Sequence, residues 1–421
     1  MTAGARGPVS AALVLTVLLY ALWGMAHNLN DILIAQFRKA FALSDLQSSL
    51  VQSCFYIAYL VMPIPVALFI QRFGYKRGVI LGLCLYGTGA LLFWPAAEKV
   101  AYGAFLGALF VIACGLTFLE TAGTGIVVVL GSPERAEWRI NLSQAFNPIG
   151  SIIGVLVGRQ FIFSAHEMTP PIGDTTDVLA RAAEARAVQM PYLVISLVLF
   201  AVALLVANTR FPERATSTHR GSPLGGLRAL LHSRLFVAGV ATQFFYVGTQ
   251  IGVWSFLVRY TQRNLPGTSD RTAALYLMIS LVLFLLGRFA TLLLLRRWSS
   301  AQIGMVFAAC AGALAALVVL APGPIGLASL ILTSFFMSIM YPAIYAIGLH
   351  GNAEHSQAAS ALMIMAIVGG AVLTAMMGAI SDASTISHAY AVPFVGFVVV
   401  FIYCTSAVRS GRVGAALAAA H

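Results

Sequence analysis

Long apolar blocks recur along the whole chain, and no other feature narrows the fold so sharply. They lie near residues 11–36, 46–70, 77–95, 101–130, 142–163, 190–208, 235–258, 272–295, 301–321, 325–348, 358–380 and 388–408. At about 1.5 Å of rise per residue, each block is long enough as a helix to cross roughly 30 Å of hydrocarbon. Lipid offers no partner for backbone N–H and C=O groups, so these segments are expected to be helices rather than open strands. Composition agrees. With 60% hydrophobic and 9% charged residues, against about 25% charged in a soluble domain, the chain lacks the polar surface to cover a soluble fold of its length. The expectation is an all-α integral membrane protein of about twelve spans.

The formal net charge is +11, which in a soluble protein would point to nucleic acid or an anionic surface. Position argues otherwise. With the N-terminus inside, the inner loops collect Arg72, Lys76, Arg77, Arg139, the arginines of 210–234, Arg296, Arg297 and Arg409. The outer loops carry fewer cations, several of them offset by Asp or Glu. That asymmetry is the positive-inside rule, with both termini cytoplasmic and the protein in a cytoplasmic (inner) membrane; no nucleic-acid partner is expected. The first block follows Arg6 but runs well past the apolar length of a signal peptide, so it reads as an uncleaved first helix. All five cysteines fall inside apolar blocks without CxxC spacing, and no metal site is expected from them.

The longest polar interruption on the inner side separates about six helices from six more. The expected organisation is a first half over 1–209, a cytoplasmic central loop over 210–233 and a second half over 234–421, the pattern of membrane proteins built from repeated halves. A weak repeat supports it. Helix 2 ends in Gln71-Arg72-Phe73 and helix 8 in Arg296-Arg297-Trp298.

Ionisable and amide side chains at bilayer depth are costly, so each raises a functional question. Most of the fourteen acids fall in loops; Asp45 reads as part of a capping box and Asp382 as a helix-end residue. Glu120 is different, lying inside helix 4 within Gly115-Leu-Thr-Phe-Leu-Glu-Thr-Ala-Gly-Thr-Gly125. A carboxylate there loses hydration, which favours its protonated form, so it can bind and release a proton as water reaches it from one side or the other. The alternative is a permanently neutral acid donating one structural hydrogen bond. In helix 1, Asn28 and Asp31 share a face; Asp31 reads as a second carboxylate of the coupling machinery or as an ordinary hydrated acid.

Amides and hydroxylated aromatics form the other enriched group. Helix 5 carries Gln144 and Asn147 three residues apart, and helix 7 repeats Gln243, Tyr246, Gln250 and Trp254 at i, i+3, i+7 and i+11. Such a stripe either glues helices together or lines a cavity for a neutral polyhydroxylated solute, amides pairing with hydroxyls and flat rings with a sugar's CH face. Buried cations for a charged solute are scarce; Arg159 and Arg288 lie near block ends. Pro63, Pro65, Pro148, Pro342 and Gly369-Gly370 supply places for helices to kink or approach closely.

These residues carry a resemblance over essentially the whole chain. Ala21-Leu-Trp-Gly24, Gly74-Tyr-Lys-Arg-Gly78, Leu119-Glu120-Thr-Ala122, Asn141-Leu-Ser-Gln144-Ala-Phe-Asn147, Tyr246-Val-Gly-Thr-Gln250, Trp254-Ser-Phe-Leu-Val-Arg-Tyr260 and Phe336-Met-Ser-Ile-Met-Tyr341-Pro342 resemble the fucose permease (fucose:proton symporter) family of the major facilitator superfamily. The run Leu29-Asn-Asp-Ile-Leu-Ile34 is more similar to the family's glucose/galactose transporters, which carry Asp at the position of Asp31. The resemblance implies two pseudo-symmetric six-helix bundles around a central sugar site, alternating access and drive by a cation gradient. It implies a proton-coupling role for Glu120 and sugar contacts at Gln144 and Asn147, with Asn28, Gln243, Tyr246, Gln250, Trp254 and Tyr341 as further candidates. No cofactor is expected, and a monomer is. Sodium is the rival coupling ion, with Asp31 and the helix 1 amides as oxygen ligands. A membrane-embedded enzyme would need a nucleophile–base or metal constellation, and the histidines show no HxxxH or HExxH pattern; a structural subunit would not need the polar residues at depth.

Overall fold

The structure is a computed structural model that describes residues 14–26, 54–129, 136–157, 186, 188–209, 223–350, 352 and 355–410. Asn28, Asp31 and Asp45 lie outside the described residues, as does Arg159. In chain order the helices are α1 (Val14–Ala26), α2 (Cys54–Val61 with Pro63–Phe73), α3 (Tyr75–Glu98), α4 (Tyr102–Val127), α5 in two pieces (Ala136–Gln144 and Asn147–Val157), α6 (Gln189–Asn208), α7 (Arg234–Asn264), α8 (Thr272–Leu294), α9 (Ser300–Leu320), α10 (Pro324–Leu349), α11 (Ala358–Ala383) and α12 (Ile386–Arg409). Among the described residues, nine of these are by themselves long and apolar enough to cross a membrane, and the bent pair of α2 makes a tenth. A short helix, Pro223–His232, precedes α7.

The breaks in these helices fall at the residues whose chemistry demands them. A proline removes the N–H that would bond the carbonyl four residues back and crowds that carbonyl with its ring. α2 bends by 48° between Val61 and Pro63. The first piece of α5 stops at Gln144, four residues before Pro148. α10 is interrupted at Ser338–Ile339, where Ser338 lies four before Pro342. In α11 a single 3₁₀ turn, Ala366–Val368, leads into Gly369-Gly370.

By packing, the described residues form two compact units, Met1–Ile126 with Ile149–Arg220 and Val127–Pro148 with Gly221–His421. In the first unit, α1 and the second piece of α5 touch backbone to backbone. A methyl group on Gly154 would lie 2.8 Å from the Met25 carbonyl oxygen, and Gly150 meets Ala21 more closely still. α3 and α4 close in the same way, Gly82 on Gly115 and Gly89 on Ala108 and Ile112. α3 and α6 run antiparallel along their length: Lys76 Nζ donates to the Ala207 carbonyl at 2.8 Å, Ser196 Oγ to Gly87 at 2.8 Å, and Phe93 stacks on Tyr192 at 4.0 Å.

The second unit repeats the scheme. Gly369 of α11 lies on the backbone of Phe244 in α7, and Gly252 of α7 faces Met377, so this pair is parallel like α1 with α5. α9 and α12 are antiparallel like α3 with α6, Gly304 meeting Cys404 and Gly312 meeting Phe397. Small residues permit such approach, and in lipid the resulting van der Waals contact is the main force holding helices together. The first piece of α5 packs against α8 and the end of α10.

Two expectations are corrected here. Arg139, read from the sequence as a loop cation, is buried in α5, because that helix starts at Ala136 and brings the guanidinium under the end of α4, where Nε donates to the Val127 carbonyl at 2.9 Å. Arg288, read as a block-end residue, lies inside α8 at 4% exposure with its guanidinium 5.0 Å from the Phe284 ring centroid.

Candidate functional site

Glu120 is 3% exposed, more than a helical turn from either end of α4. The threonines around it on α4 bond their own helix, Thr121 Oγ1 donating to Thr117 and Thr117 Oγ1 to Ala113. Thr124, one turn on, pairs its hydroxyl with that of Tyr20 at 2.6 Å. Glu120 lies within electrostatic reach of Tyr59, whose buried hydroxyl accepts a hydrogen bond from Trp23 Nε1 at 2.9 Å. Tyr20 and Trp23 meet edge to face at 6.4 Å, and Phe55 tilts against Tyr59 at 5.4 Å. A side chain added at Gly123 would meet nothing within 4 Å, so open space borders the turn that carries the carboxylate. The result is a buried acid in a setting of aromatic rings and hydroxyls. Tyr20, Trp23, Tyr59 and Thr124 were not singled out from the sequence; the spacing of Tyr20 and Trp23, and of Glu120 and Thr124, on single helix faces is the signal that marks them.

The remaining candidates among the described residues fall in the second unit. Gln144 is buried at the end of the first piece of α5, and Asn147 is half-buried just past the break. On α7 the four-residue stripe divides by what its members do. Tyr246 is fully buried and its hydroxyl donates to the Met337 carbonyl of α10 at 2.7 Å; that carbonyl stands at the α10 break. Trp254 is half-buried, its Nε1 donating to Ser334 Oγ at 3.1 Å and its ring meeting Phe284 edge-on at 5.0 Å. Both therefore fasten α7 to α10. Ser334 also bonds Ser280 of α8, so three helices share one chain of contacts. Gln243 is 0% exposed and neither of its amide atoms finds a hydrogen-bond partner among the described residues. Gln250 is half-buried. Tyr341 is buried directly after the α10 break, its ring 6.4 Å from that of Tyr345, which in turn donates to Ser360 at 2.6 Å.

A long set of apolar helices, a repeated packing scheme and a buried acid inside one of them together describe a class of architecture, and comparison with known families decides which. The model of the Major Facilitator Superfamily matches residues 9–375. The chain belongs to this superfamily. It is 39% identical over 395 residues to the L-fucose-proton symporter of Escherichia coli, covering 91% of this chain and 90% of that protein. It is 34% identical over 398 residues to the glucose/galactose transporter of Brucella abortus, covering 93% of each. Among solved structures it matches the major facilitator transporter FucP in the outward conformation with a TM-score of 0.84 and 37% identity, covering 94% of this chain and 98% of that one. The all-helical major facilitator fold and the expected family are thereby established.

Proposed function

We propose that the chain imports a neutral monosaccharide together with a proton, by alternating access between two six-helix halves, 1–209 and 234–421, joined by the loop 210–233. The observation that carries this reading is Glu120, an acid buried in the interior of a membrane-crossing helix among rings and hydroxyls, in a chain similar to an L-fucose-proton symporter. Burying a charge in a closing cavity costs far more than burying a neutral acid. A proton taken up by Glu120 from the outside therefore lowers the cost of closing around the site, and release on the inside resets it. Proton and sugar are linked through that closure by a coupling free energy, which is reciprocal.

On this reading the amides Asn28, Gln144, Asn147, Gln243 and Gln250, which both donate to and accept from hydroxyls, serve the sugar, Tyr341 and Trp254 offer it aromatic rings, and Asp31 is a second acid of the coupling machinery. Tyr246 contributes through α10. The cationic loops support both termini on the cytoplasmic side of an inner membrane. No catalytic step is assigned, and the protein works as a monomer carrying solute through lipid.

The test is uptake into reconstituted vesicles under separately imposed proton and sodium gradients, with L-fucose, D-glucose and D-galactose competing. Accumulation is expected to follow the proton gradient and to vanish in Glu120→Gln, while exchange of sugar for sugar across the membrane persists. Accumulation by that variant removes Glu120 from the coupling role. Uptake that follows sodium and ignores pH transfers the coupling to Asp31 and the neighbouring amides Asn28 and Asn30.

A further inference from the structure

One end of the second unit carries a rim of arginines that the proposed transport cycle does not use. Contacts between helices fix its level. A methyl group on Gly304 would lie 3.0 Å from the Cys404 sulfur, and one on Gly239 would lie 2.6 Å from the Tyr403 hydroxyl and 3.7 Å from Gly348. Gly239, Gly304, Gly348 and the pair Tyr403–Cys404 therefore share one depth. From that depth α7 runs back five residues to Arg234, α9 leads back six and seven to Trp298 and Arg297, and α12 runs on five to Arg409. At about 1.5 Å per helical residue, Arg234 and Arg409 stand at a common height beyond it, and Arg296, Arg297 and Trp298 lie on the same side, in the turn that precedes the start of α9 at Ser300. Arg228 joins from the helix Pro223–His232, which packs on α7 and α11 with Leu230 fully buried beneath it.

All five arginines, 228, 234, 296, 297 and 409, are exposed, and among the described residues none of their guanidiniums forms an ion pair or hydrogen bond. In the first unit the corresponding loop behaves otherwise. There Lys76 caps α6 at the Ala207 carbonyl and Arg72 lies 5.3 Å from the Phe73 ring centroid. The rim of the second unit also presents apolar groups, Trp298 at 51% exposure and Leu231 at 58%. Tryptophan favours the boundary between headgroups and acyl chains, and a helix with basic and apolar residues lies along that boundary.

We propose that this rim seats anionic phospholipid headgroups, the guanidiniums holding the phosphate diester while Trp298 and Leu231 enter the acyl boundary. Arginine matches phosphate oxygens two at a time, and each basic side chain near an anionic surface strengthens attachment about fivefold. The test uses the purified full-length protein in a neutral detergent, titrated with phosphatidylglycerol or phosphatidylcholine. Its unfolding temperature and the lipids it retains in native mass spectrometry are read together. Phosphatidylglycerol is expected to raise the unfolding temperature and to remain bound, and phosphatidylcholine to do neither. R296Q/R297Q/R409Q is expected to need roughly a hundredfold more phosphatidylglycerol for the same effect, R297Q alone about fivefold more, and R263Q at the far end of α7 no more than the unaltered protein. High salt is expected to suppress the response of the unaltered protein, a reading that needs no variant to fold. An equal response to both lipids, to inorganic phosphate at the same concentration, or in the triple variant overturns the proposal, as does a response indifferent to salt.

Discussion

Tyr246 and Gln243 stand three residues apart on one stripe of α7 and meet opposite circumstances. Tyr246 has a partner, the Met337 carbonyl, which lies where the α10 ladder is interrupted and would otherwise lack one. Tyr246→Phe keeps the ring and leaves that carbonyl unpaired. Hydrogen bonds between membrane helices average about 0.6 kcal/mol and reach about 1.7 kcal/mol; the buried setting favours the upper part of that range, about 1 kcal/mol or more, read as a lowered unfolding temperature in detergent. Gln243 has no partner for either amide atom among the described residues, and an unsatisfied buried polar group costs about 1–3 kcal/mol. Gln243→Leu is therefore expected to hold or raise the unfolding temperature. On the proposed sugar reading it also weakens sugar binding about tenfold or more, the loss of one good hydrogen bond to a hydroxyl. Unchanged sugar affinity in a more stable variant would show that Gln243 serves packing and not the solute.

At the scale of elements, the glycines decide which helices can pair. Gly369 lies on the Phe244 backbone so closely that no side chain fits, whereas an added group on Gly103 or Gly107 would meet nothing within 4 Å. Gly369→Leu must push α11 from α7 and is expected to lower the unfolding temperature and abolish uptake together. Gly103→Ala on α4 is expected to leave uptake unchanged and the unfolding temperature the same or slightly higher, because only open space receives the methyl. The pair separates a packing role from the general effect of removing a flexible residue from a helix, which would raise stability in both cases by about 0.5–1 kcal/mol. The same elements show where chain chemistry overrides apolar continuity. α2, α5 and α10 each read as one hydrophobic block, and each is divided at the residue a proline dictates.

For the whole molecule, topology is the property that charge placement argues most directly. If the cationic loops lie inside, a green fluorescent protein joined to the C-terminus is expected to fluoresce in cells, and an alkaline phosphatase joined at the same place to remain inactive. The opposite pair of results would invert the orientation and turn proposed uptake into export. The repeat of packing, α1 with α5 as α7 with α11 and α3 with α6 as α9 with α12, belongs to this scale too. It gives each unit the same small set of close contacts among its described helices.

The sequence alone determined the helical class, the approximate spans, the places at Pro63, Pro148 and Pro342 where helices can break, and the presence of an acid, Glu120, inside a membrane helix. These follow from solvation and from covalent geometry, which act on each segment without reference to its neighbours. Only the tertiary structure decided what each polar group meets. It put Tyr59, Trp23 and the Tyr20–Thr124 pair around the turn of Glu120, turned Tyr246 and Trp254 onto α10, and buried Arg139 and Arg288, which hydropathy had left at loop and block ends. The physical reason is that in lipid every apolar face is equally content. Which helix a side chain touches is set by close packing at a few glycines and by the hydrogen bonds that packing permits, and neither is written in the hydropathy of a single segment.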